Sequence, residues 1–482
     1  MRIPLDRASA TPLYRQIVSW LRRNIESGSL APETKLPASR ALADQLGVSR
    51  ITVKNAYAVL EVDGFIVSRE GSGTYVARPL LDLDHDPRAP EPAWPPWQQS
   101  AVADVQSESP RMPAHGRADT ISFTGVADPR LFPLAEFANT LRDVLRRRGT
   151  EALGYGSFGR GFAPLRETIV HILASQGIRA DMRDVLVTAG SQQALSLVCG
   201  ALLRPGDVVV VEEPTYNNAL GLFRTLGLRV VSVPLDSDGV RTDLLETVLR
   251  RDHPSLIYTI PNFQNPSGAT LSGDRRRELL SLAERYNVPI VEDDYAGDLR
   301  FEGRTQPAIK ALDPGGRVIY LGTFSKMLMP GLRVGYLIVE GPVMEKLVRR
   351  KEVTELTTSP LMERAVNEFV TVGRYQAHLR RTTRLYRRRR DAILEAIAAH
   401  LPACSVEHVP KGGLFLWLRL PTGRSASGLL PRAIEHGVEF APGTRFFADP
   451  RHGEPFVRLN LAVCTPEEAE EGVYRFATAL RS

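Results

Sequence analysis

At 482 residues with 43% hydrophobic side chains, the chain is too long for one ordinary core and has the apolar content to fill two or more. Its 61 Lys and Arg against 55 Asp and Glu give a net charge of +6, a mildly basic balance that permits a nucleic-acid partner without requiring one. No charged-then-apolar leader opens the sequence and no run approaches a membrane span, so a cytoplasmic protein is expected; three cysteines, odd in number and far apart, match no metal or disulfide spacing.

In chain order, the first readable module is "LPASRALADQLGVSRITVKNAYAVLEVDGFIVSREGSGTYV", residues 36–76. Leu42 and Leu46 lie one turn apart on a predicted helix, Gly47 breaks it, and a second helix starts at Ser49, with Val53, Ala56, Val59 and Leu60 facing a core. Ser49 is a good N-cap, which leaves Arg50, Thr52 and Lys54 on the exposed first turns, the end that a recognition helix presents to the major groove. Gly71 and Gly73 predict a tight hairpin between "FIVSR" and "TYV". This stretch closely resembles the winged helix-turn-helix of the GntR family, whose LPxSRxLAxxLGVSRxTVxxAYxxLxxxG and GxGTxV signatures it matches almost throughout. The resemblance implies that Arg40, Ser49, Arg50 and Thr52 meet DNA, with Lys54 on phosphate and the wing at Gly71 in the adjacent groove.

Residues 78–118 carry eight prolines and no sustained period, which predicts an extended linker, with Trp94 and Trp97 free to dock on a neighbour. About 360 residues follow in which apolar runs alternate with helical stretches. The strand candidates are 184–189, 207–212, 229–235, 255–260, 288–293, 317–322 and 333–339, and their near-continuous apolar character suggests a sheet covered on both faces. From about residue 345 a helical tract leads into "GGLFLWLRL" and "FVRLNLAV", consistent with a smaller α+β lobe over 345–482. Within that tract "RRTTRLYRRRRDAIL", Arg380 to Leu394, reads as a solvated surface helix, or alternatively as a track for non-specific DNA contact.

"GTFSKMLMPGLRVGY" sets Lys326 between a strand and a glycine-rich turn. A phosphate-loop lysine needs glycine before it and Ser or Thr after it, whereas Ser325 precedes and Met327 follows here. A lysine at a strand end in an apolar region can instead lose its proton and form a Schiff base with an aldehyde, and pyridoxal 5'-phosphate (PLP) is the aldehyde cofactor that fits. Other runs supply its remaining needs. "TAGSQQAL" puts Gly190, Ser191 and Gln192 at a strand-to-helix junction suited to phosphate, with Thr323, Ser325 and Arg333 completing the cup. Tyr216 in "EEPTY" can stack on the ring, Asn265 in "NFQNPSG" suits its phenolic oxygen, and "VEDDY" offers a carboxylate for the ring nitrogen.

These motifs in this order resemble fold-type I aminotransferases over roughly residues 120–480. The resemblance implies Lys326 as the Schiff-base lysine, Asp293 at the ring nitrogen with Asp294 as its adjacent rival, Tyr216 as the stacking ring, and Asn265 with Tyr295 at the phenolic oxygen. It further implies Tyr155, in "LGYGSFGRGF", as a residue reaching the partner's phosphate across a dimer, and Arg458, in "FVRLNLA", as the anchor of a substrate carboxylate. The whole chain is thus similar to the MocR subfamily of GntR-type regulators. That implies a winged helix-turn-helix head (1–77), a linker (78–118) and a PLP-binding aminotransferase-like α/β body with a large mixed sheet and a small α+β lobe (119–482).

As a member of that subfamily the chain is expected to be a cytoplasmic homodimer, head-to-tail, that binds promoter DNA and answers a small amino compound, and not primarily an enzyme. GABA-responsive members carry an arginine where Asn218 stands, so GABA is not implied. An amino acid, a taurine-like amino sulfonate or an acylated diamino acid would suit Arg458. The alternatives are an active aminotransferase with an accessory head, a regulator sensing PLP itself, and a PLP-free body that only dimerises the heads.

Overall fold

The computed structural model describes residues 3–77 apart from 8, 10 and 70, residues 96–98, and residues 119–482 apart from 126 and 157. The chain divides into two compact units, Met1–Asp104 and Val105–Ser482. The proline-rich stretch 78–118 lies outside the described residues except for 96–98, where Trp97 is exposed.

The first unit packs three helices, Leu13–Glu26, Ser39–Leu46 and Arg50–Val62, beside a two-stranded antiparallel wing, β1 (Ile66–Arg69) and β2 (Gly73–Val76). Gly47 ends the second helix in the left-handed region at φ 61°, which turns the chain sharply into the third. Ser49 caps that third helix: its Oγ accepts from the Thr52 amide at 3.2 Å and lies 2.8 Å from the Thr52 hydroxyl. The buried face is Val53, Ala56, Tyr57 and Leu60, the spacing of one helical stripe. Val59, expected in the core, is 37% exposed because it falls well to one side of this stripe, whereas Tyr57 lies on it and donates its hydroxyl to the Pro37 carbonyl at 2.8 Å. The wing turns through Gly71 at φ 71°, which puts a short exposed ribbon beside the third helix.

In the second unit β3 (Ile121–Ser122) opens the chain, and the large sheet follows from β4 (Val185–Thr188), β5 (Val208–Glu213), β6 (Arg229–Asp236), β7 (Gly239–Val240), β8 (Leu256–Thr259), β9 (Ile290–Asp294), β10 (Val318–Thr323) and β11 (Gly335–Ile338). Their order is β4-β11-β10-β9-β8-β5-β6-β7. β11 runs antiparallel to both neighbours and β7 antiparallel to β6, while the other pairings are parallel, so the sheet is mixed. Every one of the seven apolar runs forms a strand, and β4, β8 and β10 are buried at each residue, as strands covered on both faces must be.

The small lobe carries a four-stranded sheet ordered β12 (Ser405–Val406), β13 (Phe415–Arg419), β16 (Phe456–Asn460) and β15 (Ala441–Pro442), and β14 (Val438–Glu439) pairs in parallel with β3. Its long helix, Arg374–His400, corrects the reading of the basic run as a solvated face at two positions, Arg389 and Arg390, while Arg380, Arg381, Arg384, Arg387 and Arg388 are exposed as that reading expects. Arg389 is buried, donating to Asp128 Oδ2 at 2.6 Å and to the Ala462 carbonyl. Arg390 is buried too, pairing with Glu302 at 2.8 Å and with the Pro410 carbonyl at 2.9 Å. A buried guanidinium requires such partners, and these two tie the helix to the body and cannot track DNA. Among the described residues no helix is long and apolar enough to cross a membrane, and no cluster of metal-ligating side chains occurs.

Candidate functional site

Sheet register gathers the site at the carboxyl ends of the strands, where α/β sheets hold their ligands. Thr323 pairs with Gly335, Gly335 with Thr188, and Leu321 with Asp293, so the carboxyl ends of β4, β10 and β9 lie side by side with the amino end of the antiparallel β11. Lys326 stands three residues past β10, on the segment that returns to β11 through the turn Pro330–Leu332. Burial, reinforced by the charges of Arg458 and Arg333 and opposed by Asp293, pushes its amine down to about 8.

Asp293 is buried within the sheet, and that burial, with Asp294 adding to it against Tyr258 and Lys326, pushes its carboxyl up to about 6. Its Oδ2 accepts from the Tyr258 hydroxyl at 2.7 Å, whereas its Oδ1 is buried without a partner. Asp294 is engaged elsewhere, accepting from Tyr320 at 2.8 Å and Asn262 at 3.3 Å. The free acceptor therefore belongs to Asp293. Tyr258 was not legible as a site residue, because a tyrosine inside the apolar run "SLIYTI" reads as core; its hydroxyl fixes which carboxylate oxygen stays available.

A cup forms where β4 meets the helix Ser191–Leu202. Gly190, at φ 104°, holds a backbone conformation that residues with a side chain rarely adopt, with the movable Arg333 guanidinium 2.8 Å from where a Cβ would stand. Arg333 donates to the Ala189 carbonyl at 2.7 Å, Thr323 Oγ1 accepts from the Ser325 amide at 3.1 Å, and Ser325 Oγ is buried without a partner. Gln192 donates to the Asn218 carbonyl at 3.3 Å, which ties the cup to the next helix. Backbone donors at a helix N-terminus beside an arginine and a spare hydroxyl suit a phosphate.

Tyr216 leads into the helix Asn217–Thr225; its hydroxyl accepts from Asn218 Nδ2 at 3.0 Å, and burial pushes it up to about 12. Across the site Arg458, on β16, donates to Asn265 Oδ1 at 2.9 Å and lies between the Phe415 and Phe446 rings, at 4.1 and 4.7 Å from their centroids. Tyr295 stacks on Phe415 and donates its hydroxyl to the Phe263 carbonyl at 2.7 Å. Tyr155 stands apart from this cluster, 66% exposed and stacked on Phe158. In the first unit Arg40, Ser49, Arg50 and Lys54 are exposed, as is Gly71 at the tip of the wing, and Thr52 is half-buried.

These features define an aminotransferase-type body and a winged helix-turn-helix head on one chain, and comparison with known proteins bears this out. Residues 125–476 match the model for aminotransferase class I and II, and residues 13–76 that for bacterial regulatory proteins of the gntR family. The chain is 33% identical to the probable rhizopine catabolism regulatory protein MocR of Rhizobium meliloti, over 98% of this chain and 95% of that one. It is 30% identical to an uncharacterized HTH-type transcriptional regulator, YdfD, of Bacillus subtilis, over 98% and 96%. The crystal structure of LysN, an α-aminoadipate aminotransferase from Thermus thermophilus complexed with N-(5'-phosphopyridoxyl)-L-leucine, matches with a TM-score of 0.72 at 36% identity, over 80% of this chain and 98% of that one. The chain belongs to the MocR-type GntR regulators, in which a gntR-family head is fused to a class I and II aminotransferase domain.

PLP is the cofactor that this domain and its structural neighbours imply. The residues present fit it: a depressed lysine, a buried carboxylate with one open oxygen, and an anion cup with an unpartnered hydroxyl. Because only the neutral amine attacks an aldehyde, PLP attachment to the cofactor-free protein should accelerate about tenfold per pH unit up to about pH 8 and level off above it. Below about pH 6 retention should weaken, as Asp293 becomes protonated and loses its charge. Stopped-flow absorbance across pH 5 to 10, chosen to span both values, checks both limbs.

Proposed function

We propose that the chain is a cytoplasmic, PLP-dependent transcription regulator whose body senses an amino compound and whose head binds promoter DNA. One observation carries this reading: Lys326, depressed to about 8, shares a site with the unpartnered oxygen of Asp293, in a chain that also presents Arg50 at the start of a capped helix. The domains are residues 1–77, a linker over 78–118 and the body over 119–482.

When bound, PLP supplies an aldehyde for amines and an electron-withdrawing ring. Lys326 is the chain's own amine for that aldehyde. Ser191, Gln192, Thr323, Ser325 and Arg333, with the Gly190 backbone, hold the phosphate, and Tyr155 of a second subunit completes it in a homodimer. Asp293, held by Tyr258, keeps a proton on the ring nitrogen; Tyr216 covers the ring face; Asn265 and Tyr295 serve the phenolic oxygen. Arg458 receives the acid group of an incoming amino compound, which competes with Lys326. In the head, Arg40, Arg50 and Thr52 read bases and Lys54 holds phosphate, with Ser49 capping the helix and the Gly71 wing alongside. The amino compound alters DNA binding only if it favours one arrangement of the protein over another.

A titration of the PLP-loaded protein with a panel of amines, with keto or aldehyde product assayed alongside, tests this reading. A sensor shows a shift of the cofactor absorbance with one amine and product at or below one equivalent per chain. Sustained product with an added acceptor would instead make the protein an aminotransferase first, a reading favoured by the complete set of PLP-facing side chains. A spectrum unmoved by any amine, with DNA binding that follows PLP itself, would point to vitamin B6 sensing.

A further inference from the structure

The segment that follows β8, residues 261–268, is buried at every position. Connecting segments usually run over the surface, where water bonds their backbone, so this one has to satisfy its polar groups from within. Its start is held by the buried Arg276, which donates to the Pro261 carbonyl at 3.0 Å and to Asn262 Oδ1 at 2.8 Å. Its middle is held by Gln264, whose Oε1 accepts from the Ser267 amide at 2.9 Å and whose Nε2 donates to the Pro214 carbonyl at 2.7 Å. A backbone N–H only donates and a carbonyl only accepts, so these two partners fix which way the Gln264 amide points.

Gln264 Nε2 makes a second bond, at 3.0 Å, to Glu212 Oε2. Glu212 lies near the carboxyl end of β5 and is buried, and among the described residues it has no ion pair. Its Oε1 accepts from the Thr259 hydroxyl and from the Ile260 amide at 3.1 Å. Burial pushes this carboxyl up to about 7, with the Asp293 charge adding to it and the three donors opposing it. Neither the Ile260 N–H nor the fixed Gln264 amide can receive a hydrogen bond, so both Glu212 oxygens are held as acceptors. Glu212 thereby joins two walls of the site. Its own segment runs through Pro214 to Tyr216, while Gln264 leads directly to Asn265, whose Oδ1 accepts from Arg458 at 2.9 Å.

We propose that Glu212 is a positioning residue for recognition of the amine's acid group: without touching the ligand, it fixes Gln264 and hence the reach of Asn265 to Arg458. This rests on the reading of the body as an amine sensor in which Arg458 receives that acid group. Glu212→Gln keeps the shape but turns one acceptor oxygen into a donor, which then faces either Gln264 Nε2 or the Ile260 N–H. Buried donors that face each other stay unpaired, and the segment carrying Asn265 has to shift to relieve them.

The test uses the full-length PLP-loaded protein, the cofactor absorbance as readout, and amines paired with and without an acid group: L-alanine against ethylamine, L-norleucine against pentylamine, and taurine against ethylamine. The wild type is expected to prefer the acid-bearing member of at least one pair by about tenfold or more. In Glu212→Gln that ratio should fall to within about threefold, through the acid-bearing member alone, with the acid-free amine within about twofold of wild type. Added to Asn265→Ala, which lowers the ratio itself, Glu212→Gln should have no further effect. A residue that only stabilises the fold would lower the thermal midpoint and weaken both amines alike. PLP content and thermal midpoint identify a Glu212→Gln chain that fails to fold. Thr259→Val, which removes one donor from the same carboxylate, then decides, with the ratio expected to fall by about twofold or more. A ratio equal to wild type, an equal loss for both members of a pair, or full additivity with Asn265→Ala overturns the positioning role alone. Wild-type protein that answers amines without acid preference overturns acid binding at Arg458 and this role with it. If no amine moves the spectrum, the sensor reading fails and the positioning role falls with it.

Discussion

Lys326→Ala is expected to leave the chain folded and able to bind promoter DNA, but to abolish covalent retention of PLP. After borohydride treatment the wild-type peptide containing Lys326 should gain one phosphopyridoxyl group by mass, and the variant none. The expectation follows from the site: Lys326 has an amine brought near neutrality by burial and by Arg458 and Arg333, at the carboxyl edge of the sheet beside Asp293. The phosphate cup and the Asp293 carboxylate are untouched, so the variant should still bind PLP reversibly, at an affinity lower by the lost covalent link. A variant that kept the label would assign the chemistry to another amine. Lys310, which is also buried, is held by Glu340 at 2.9 Å.

Arg50→Ala should cost about 1–3 kcal/mol of affinity for the specific operator, roughly 5- to 150-fold, while leaving PLP content unchanged. Arg50 is the first residue of a helix whose cap is supplied by Ser49, so the substitution removes a reaching side chain without removing the cap. Binding to unrelated DNA should fall much less. Lys54→Ala, one turn on and exposed, should weaken both alike and lower the salt slope by about one, as the loss of a phosphate contact does. Fluorescence anisotropy with operator and scrambled duplexes at several salt concentrations separates the two patterns. Equal losses for Arg50→Ala on both duplexes would make Arg50 a backbone contact.

Much of the fold was legible because the signals are local. The Ser49 cap, the Gly47 break and the wing glycines act within a few residues of themselves, and the seven apolar runs carry the signature of strands covered on both faces. Side-chain direction was less legible. Val59 falls off the apolar stripe of its helix and is exposed, while Tyr57 is buried with its polar hydroxyl on the Pro37 carbonyl, 20 residues away. Arg389 and Arg390 look solvated in a run of arginines, and their partners Asp128 and Glu302 are 261 and 88 residues distant.

The same limit applies to the site. Lys326, Asp293 and Arg333 are marked by charged residues in apolar or glycine-rich surroundings, which is a signal in one dimension. Tyr258 acquires meaning only through the fold, which selects it by the register of β8 against β9. Asp293 and Asp294, adjacent in sequence, likewise differ in their partners. Tyr320 and Asn262 occupy Asp294 and leave the open oxygen on its neighbour.

The central claim is that amine chemistry at Lys326 is coupled to DNA binding by the head. The most direct measurement is the operator affinity of the PLP-loaded full-length protein across a titration with an amine that shifts its cofactor absorbance, with Lys326→Ala beside it. The account predicts an affinity change in the wild type, at least about fivefold in either direction, with a midpoint that tracks the absorbance change, and none in Lys326→Ala. An absorbance change with unaltered operator affinity, or an equal response in both proteins, would contradict it.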